Sequence, residues 1–168
     1  IETINDFFNM ETSRKIKEKY QNASLITANN VFAHCDDLSG ITDAVSNLLS
    51  IDGIFVFEVS YLVDVYQKTL FDTIYHEHLS YHSVLPLIDF FERKNMTLID
   101  IERINTHGGS IRCVVKNRLD KTKIKASVKK LVDLENSLSF NKSDTFKNFS
   151  SQIKVRKQEL KSLLKKLK

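Results

Sequence analysis

Ile54-Phe55-Val56-Phe57-Glu58-Val59 is a nearly continuous apolar run broken by a single carboxylate. Without polar alternation, such a run predicts a strand covered on both faces, the habit of a parallel sheet flanked by helices. Asp52-Gly53 just before it predicts a turn. Further upstream, Ile41, Ala44, Val45, Leu48 and Leu49 recur at helical spacing, and Ser39 or Thr42 offers the cap. Leu25-Ile26-Thr27-Ala28 reads as a short buried strand ending in the polar pair Asn29-Asn30, and residues 11–20 as a helix. Downstream, residues 61–69 predict a short helix, 70–81 an irregular histidine-rich loop, and 85–94 a helix with Pro86 in its first turn. Residues 96–104 and 110–116 are strands joined by Asn105-Thr106-His107-Gly108-Gly109, the spacing of an antiparallel hairpin. The order implies an α/β sheet, mostly parallel with an antiparallel terminal hairpin.

Charge divides the chain. Residues 1–115 hold 9 basic and 16 acidic side chains, whereas residues 116–168 hold 16 basic and 5 acidic ones. After Asp120 the pattern is purely helical, in two amphipathic segments separated by Asn141-Lys142-Ser143-Asp144. The expected organisation is an α/β unit over residues 1–118 and an α-helical arm over 119–168. The arm's lysines could bind nucleic acid or an acidic membrane, but Phe140, Phe146 and Phe149 are spaced for helix packing rather than base stacking. A solvated outer face is the preferred reading, with neither nucleic acid nor membrane as partner.

The chain has 168 residues, 42% of them apolar, enough for a real core. Only four glycines and one proline occur, and Gly40, Gly53, Gly108 and Gly109 cannot supply a G-x-G-x-x-G or P-loop phosphate cradle. A nucleotide-like cofactor would need further binding residues. Cys35 and Cys113 cannot build a disulfide framework or a four-cysteine zinc site. No apolar run reaches the roughly 18 residues of a membrane span. A reducing, cytoplasmic setting is expected, and a chain opening on Ile1 is expected to be a piece of a longer one.

The densest polar cluster is Tyr75-His76-Glu77-His78, followed by Tyr81 and His82. An extended backbone would point His76 and His78 one way, Tyr75 and Glu77 the other. Histidine supplies a base near neutral pH, glutamate can orient it, and tyrosine can hydrogen-bond an oxygen. Two other readings stand beside proton transfer: zinc held by His76, His78 and His82, or histidines that only satisfy loop backbone. Asn29-Asn30-Val31-Phe32-Ala33-His34 follows a strand whose carboxyl end is where open α/β sheets bind ligands. His107-Gly108-Gly109-Ser110-Ile111-Arg112 adds a guanidinium beside flexible backbone.

Together these segments, with Asp52 to Val59, Tyr61-Leu62 and Phe71 to Tyr81, resemble the S-adenosylmethionine-dependent C-methyltransferases of nucleotide-linked deoxysugars. The resemblance implies a partial Rossmann-like methyltransferase sheet: the second half of a central domain, plus a helical arm leading towards a C-terminal domain. The family's zinc module, glycine-rich cofactor loop and ribose-holding acid are not in this stretch. It further implies methylation of a sugar carbon beside a ketone through an enolate, with S-adenosylmethionine as cofactor and a nucleotide-linked ketosugar as substrate. By the family pattern His78 is the general base, with Glu77 orienting or charge-balancing it. Tyr75 and His34 contact the sugar's keto and hydroxyl oxygens. Asn30, with Asn29 beside it, lies near the cofactor, while His107, Ser110 and Arg112 hold the substrate, Arg112 its diphosphate. No metal takes part, which leaves His76 and His82 structural. Other expectations are a non-catalytic remnant or interaction module, and exposed strand edges that pair with another chain or a second copy.

Overall fold

Strand β2 (Leu49–Ser60) is longer than its apolar run and carries the sheet. The computed structural model describes residues 2–119 and 122–167. Asp120, from which the sequence predicts a helical pattern, and the closing Lys168 lie outside the described residues. Phe55, Phe57 and Val59 on one face of β2 are at most 1% exposed, while Ile54 and Val56 on the other are half-buried. The strand is therefore fully covered on one face only, and each buried phenylalanine contributes about 1.5–3 kcal/mol. Asp52-Gly53 makes no turn. It sits inside β2 where the pairing with β1 (Ala23–Asn29) slips: Ala23 faces Leu49, yet Leu25 already faces Ile54.

The sheet order is β1-β2-β4-β3, with β3 at Met96–Ile104 and β4 at Ser110–Asn117. β1 runs parallel to β2, and β4 is antiparallel to both β2 and β3. The partial Rossmann-like α/β sheet with an antiparallel terminal hairpin is thus present. Its parallel part is a single pairing among the described strands, because β4 folds back between β2 and β3. β1 is an edge, with Leu25 exposed and only Ile26 and Ala28 leaning on the core, so it is not the buried strand its composition suggests.

Helices α1 (Met10–Tyr20) and α2 (Leu38–Leu48) are tied by the Ser13 hydroxyl donating to the Ala44 carbonyl at 2.8 Å. The cap of α2 is neither Ser39 nor Thr42 but Asp37, whose carboxylate accepts the Gly40 N–H. α3 (Leu62–Lys68) and α4 (Val84–Arg93) follow β2, and the Phe32 ring stacks at 6.2 Å on Phe91 of α4 and at 4.8 Å on Phe57.

α5 (Ala126–Ser137) crosses the expected boundary at residue 118 in space, burying Val128 and Leu131 in the same core. Its Glu135 is fully buried. One carboxylate oxygen accepts from the Tyr61 hydroxyl at 3.0 Å and the Val84 N–H at 2.6 Å, and the other from the Leu85 N–H at 3.0 Å. Ser83 gives α4 no side-chain cap, so a carboxylate from another helix satisfies amides of its first turn and meets the positive end of its dipole. Burial, followed by the neighbouring Glu135, holds the Tyr61 phenol well above its usual pKa and keeps it a donor. α6 (Ser143–Leu167) leaves Leu160, Leu163, Leu164 and Leu167 exposed.

Glu135→Ala strands two buried donors and a half-buried one and should lower stability by about 3 kcal/mol, with Glu135→Gln losing less. Urea unfolding followed by circular dichroism measures this, and a loss below about 0.5 kcal/mol would show that the carboxylate is dispensable.

Candidate active site

The carboxyl ends of β1 and β2 and the β3–β4 loop enclose a cavity of about 420 Å³. Asn30 and His34 reach it from the segment after β1, Val59 and Ser60 from β2, and His107 from the hairpin loop. Asp72, Thr73, Tyr75 and His78 come from the loop between α3 and α4. That loop is fastened below by the Leu79 and Ser80 N–H groups, which both donate to the Ala33 carbonyl at 3.1 and 3.2 Å.

Residues 75–78 form a turn rather than an extended stretch, closed by the His78 N–H donating to the Tyr75 carbonyl at 3.1 Å. Consequently Tyr75 and His78 share a face, with ring centroids 4.4 Å apart. His78 Nδ1 lies 2.8 Å from the Thr73 carbonyl, which can only accept, so Nδ1 carries the proton. Nε2 of the neutral ring is then the acceptor, 3.2 Å from the Tyr75 hydroxyl. The His34 ring packs edge-on against His78, centroids 4.9 Å apart. A tautomer fixed by a carbonyl, with its free nitrogen on a phenol, is the arrangement of a positioned imidazole base.

Asn30, His34, Tyr75, His78 and His107 are therefore brought together, and the remaining candidates are placed elsewhere. Glu77 turns outward to His76, 4.0 Å away, and the Thr73 carbonyl holds the ring nitrogen that Glu77 was expected to orient. Asn29 stays in the ladder opposite Glu58, outside the cavity lining. Ser110 is buried, its hydroxyl donating to the Thr106 carbonyl. Arg112 faces two carboxylates, Glu58 at 3.1 Å and Glu102 at 3.3 Å, because register sets it opposite both. His76 is 90% exposed and His82 is buried against Phe32, so the three histidines of the zinc reading do not converge. Among the described residues no three His, Cys, Asp or Glu side chains cluster as a metal site.

The sequence reading missed Asp72, Thr73 and Ser60. Thr73 acts through its carbonyl, for which no side-chain pattern is a signal. It also missed Asp64, buried after β2, which takes Arg103 bidentately at 2.8 and 2.9 Å and Lys68 at 2.8 Å. Burial alone would raise the Asp64 pKa, but the Arg103 and Lys68 bonds outweigh it and hold the carboxyl below its usual value. Asp64 stands directly under Gly109, where a Cβ would come within 2.2 Å of its Cγ. Gly109 at φ 142° is therefore required there.

The fold is that of S-adenosylmethionine-dependent methyltransferases: a SAM-dependent methyltransferase from Anabaena variabilis superposes with a TM-score of 0.51 at 12% identity, over 69% of this chain and 58% of that one. Residues 105–168 match the model of the C-methyltransferase C-terminal domain, from the hairpin loop through α6. The C-methyltransferase NovU of Streptomyces niveus is 39% identical over 111 residues, which are 66% of this chain and 26% of that protein. Over the residues matched the chain is similar to C-methyltransferases, and it spans about a quarter of the length of the curated relative. No helix among the described residues is long and apolar enough to cross a membrane.

His82 carries a pH dependence of its own. Burial lowers its pKa to about 4 from 6.5, and among the described residues its Nε2 has no hydrogen-bond partner. The unfolded chain therefore binds this proton first as pH falls, so stability is unaffected above pH 6.5 and declines between 6.5 and 4. The loss should approach about 3 kcal/mol, and His82→Phe should flatten that part of the profile. Urea midpoints at several pH values across this window check it.

Proposed function

We propose that the protein takes part in S-adenosylmethionine-dependent C-methylation of a nucleotide-linked keto-deoxysugar, with His78 as general base. The observation that carries this reading is the His78 ring itself. Its Nδ1–H is held by the Thr73 carbonyl and its Nε2 lies beside Tyr75, in a cavity at the carboxyl ends of β1 and β2. A hydrogen beside a ketone becomes removable when a base is held close and the enolate oxygen is stabilised. His78 Nε2 takes that proton, and the Thr73 carbonyl, accepting from Nδ1–H, steadies the imidazolium. The Tyr75 hydroxyl leaves Nε2 for the enolate oxygen, while His34 and His107 hold neighbouring oxygens of the sugar.

S-adenosylmethionine supplies the electrophilic methyl group when bound. The residues present fit one edge of it: the Asn30 amide lines the cavity where open α/β sheets take their ligands. Gly40, Gly53, Gly108 and Gly109 form no glycine-rich cofactor loop, so Asn30 would need further residues beside it to hold the cofactor. The exposed edge of β1, with Leu25 bare, supports a neighbouring strand there, from further residues of the same protein or from another chain. Two free cysteines, Cys35 and Cys113, support a reducing, cytoplasmic setting.

The test uses protein expressed from the whole gene, a nucleotide-linked keto-deoxysugar and deuterium oxide. Without cofactor, the hydrogen beside the ketone should wash out into solvent, and with cofactor methyl transfer should follow. His78→Ala should lower both by roughly 10²–10³-fold, and Tyr75→Phe should lower them by roughly tenfold. Undiminished washout in His78→Ala removes His78 from the base role.

A further inference from the structure

We propose that Glu58 is a positioning residue that presses Asn30 and His107 together, making the two walls of the cavity one preset frame. The proposal rests on the reading of Asn30 and His107 as ligand-binding residues. Glu58 is the third residue from the end of β2 and is 6% exposed. It acts through three atoms. Its carbonyl accepts the Asn30 N–H at 3.0 Å, its Oε1 accepts the Thr106 hydroxyl at 2.7 Å, and its Oε2 accepts from Arg112 at 3.1 Å. One residue thus holds the segment after β1 and the start of the hairpin loop at once. Arg112, shared with Glu102, balances its charge.

The two residues so held are unusual in the same way. Asn30 at φ 54° and His107 at φ 49° are both non-glycine residues in left-handed backbone. Such conformations persist where the surroundings over-determine them. Their side chains meet across the cavity, Asn30 Nδ2 to His107 Nε2 at 3.5 Å. The far end of the loop is fixed separately, by Asp64 under Gly109 and by Lys68 donating to the Gly108 carbonyl. With both ends fastened, the His107 ring position follows from the Thr106–Glu58 bond. This bond lies outside the strand ladder: Arg112 already faces Glu58 by register, whereas Thr106 precedes β4 and has no ladder partner. A carboxylate needed only to pair Arg112 would not have to reach it.

Thr106→Val removes the hydroxyl at nearly constant volume, and Thr106→Ser restores it. In the purified chain, Thr106→Val should shift the His107 imidazole resonances and speed amide exchange over residues 105–110, while Thr106→Ser should match the parent. Exchange in the core strands reports folding and should not change. In the whole-gene protein, Thr106→Val should raise KM for the keto-deoxysugar roughly tenfold with kcat within about threefold, and Thr106→Ser should restore KM. Unmoved His107 resonances in Thr106→Val overturn the proposal. So does a displaced His107 with unchanged KM, in a protein whose methyl transfer still depends on His78. If His78→Ala leaves transfer intact, the proposed chemistry fails instead, while the resonance shift and its rescue by serine still support the positioning role of Glu58.

Discussion

The register of β4 between β2 and β3 is the constraint from which the rest of the site follows. Ser110 is paired with Ser60 on one side and with Ile104 on the other. That pairing leaves five residues, 105–109, to turn at the carboxyl end of β2, beside the exit of β1. It also sets Arg112 opposite Glu58 and Glu102, which accounts for a buried carboxylate near the end of β2. A one-residue slip would move Arg112 to the other face and leave Glu58 buried without its counter-charge, a costly arrangement. The geometry of the cavity rim and strand pairing are thereby coupled.

Much of the fold was legible because apolar periodicity records what must be buried. The hairpin, the helix across Pro86, and the two helices after β4 all lie where their patterns put them. What escaped was set by partners distant in sequence. Asp37 caps α2 because its carboxylate reaches the Gly40 amide, a choice that composition around Ser39 and Thr42 does not reveal. Leu25 looks buried until β1 proves to be an edge. The same holds at the site. Tyr75, His78, His34, His107 and Asn30 converge, since the chain brings strand ends and loops to one rim. Glu77 and Arg112 have suitable chemistry but face elsewhere, the first by the turn at 75–78, the second by ladder register.

Two buried carboxylates flank the hairpin loop, and each answers a different demand. The Glu58 carboxylate accepts the Thr106 hydroxyl and one cation, Arg112, whereas Asp64 gathers two cations and fills the space that Gly109 leaves. Loops carry function best when a rigid scaffold holds them, and here the holding groups are charged rather than apolar. Such groups fix direction as well as distance, which an imidazole serving as base or ligand contact requires.

Glu135 ties α5 to Tyr61, just past β2, and to Val84 and Leu85 in the first turn of α4, residues that stand far from it in sequence. The helical arm is therefore not an interchangeable accessory. In any lineage where gene segments recombine, a crossover between β4 and α5 would import a helix whose carboxylate must find this phenol and these amides. Chimeras that separate the two sides of that contact would be purged unless both came from the same parent, so sheet and α5 should be inherited as one block.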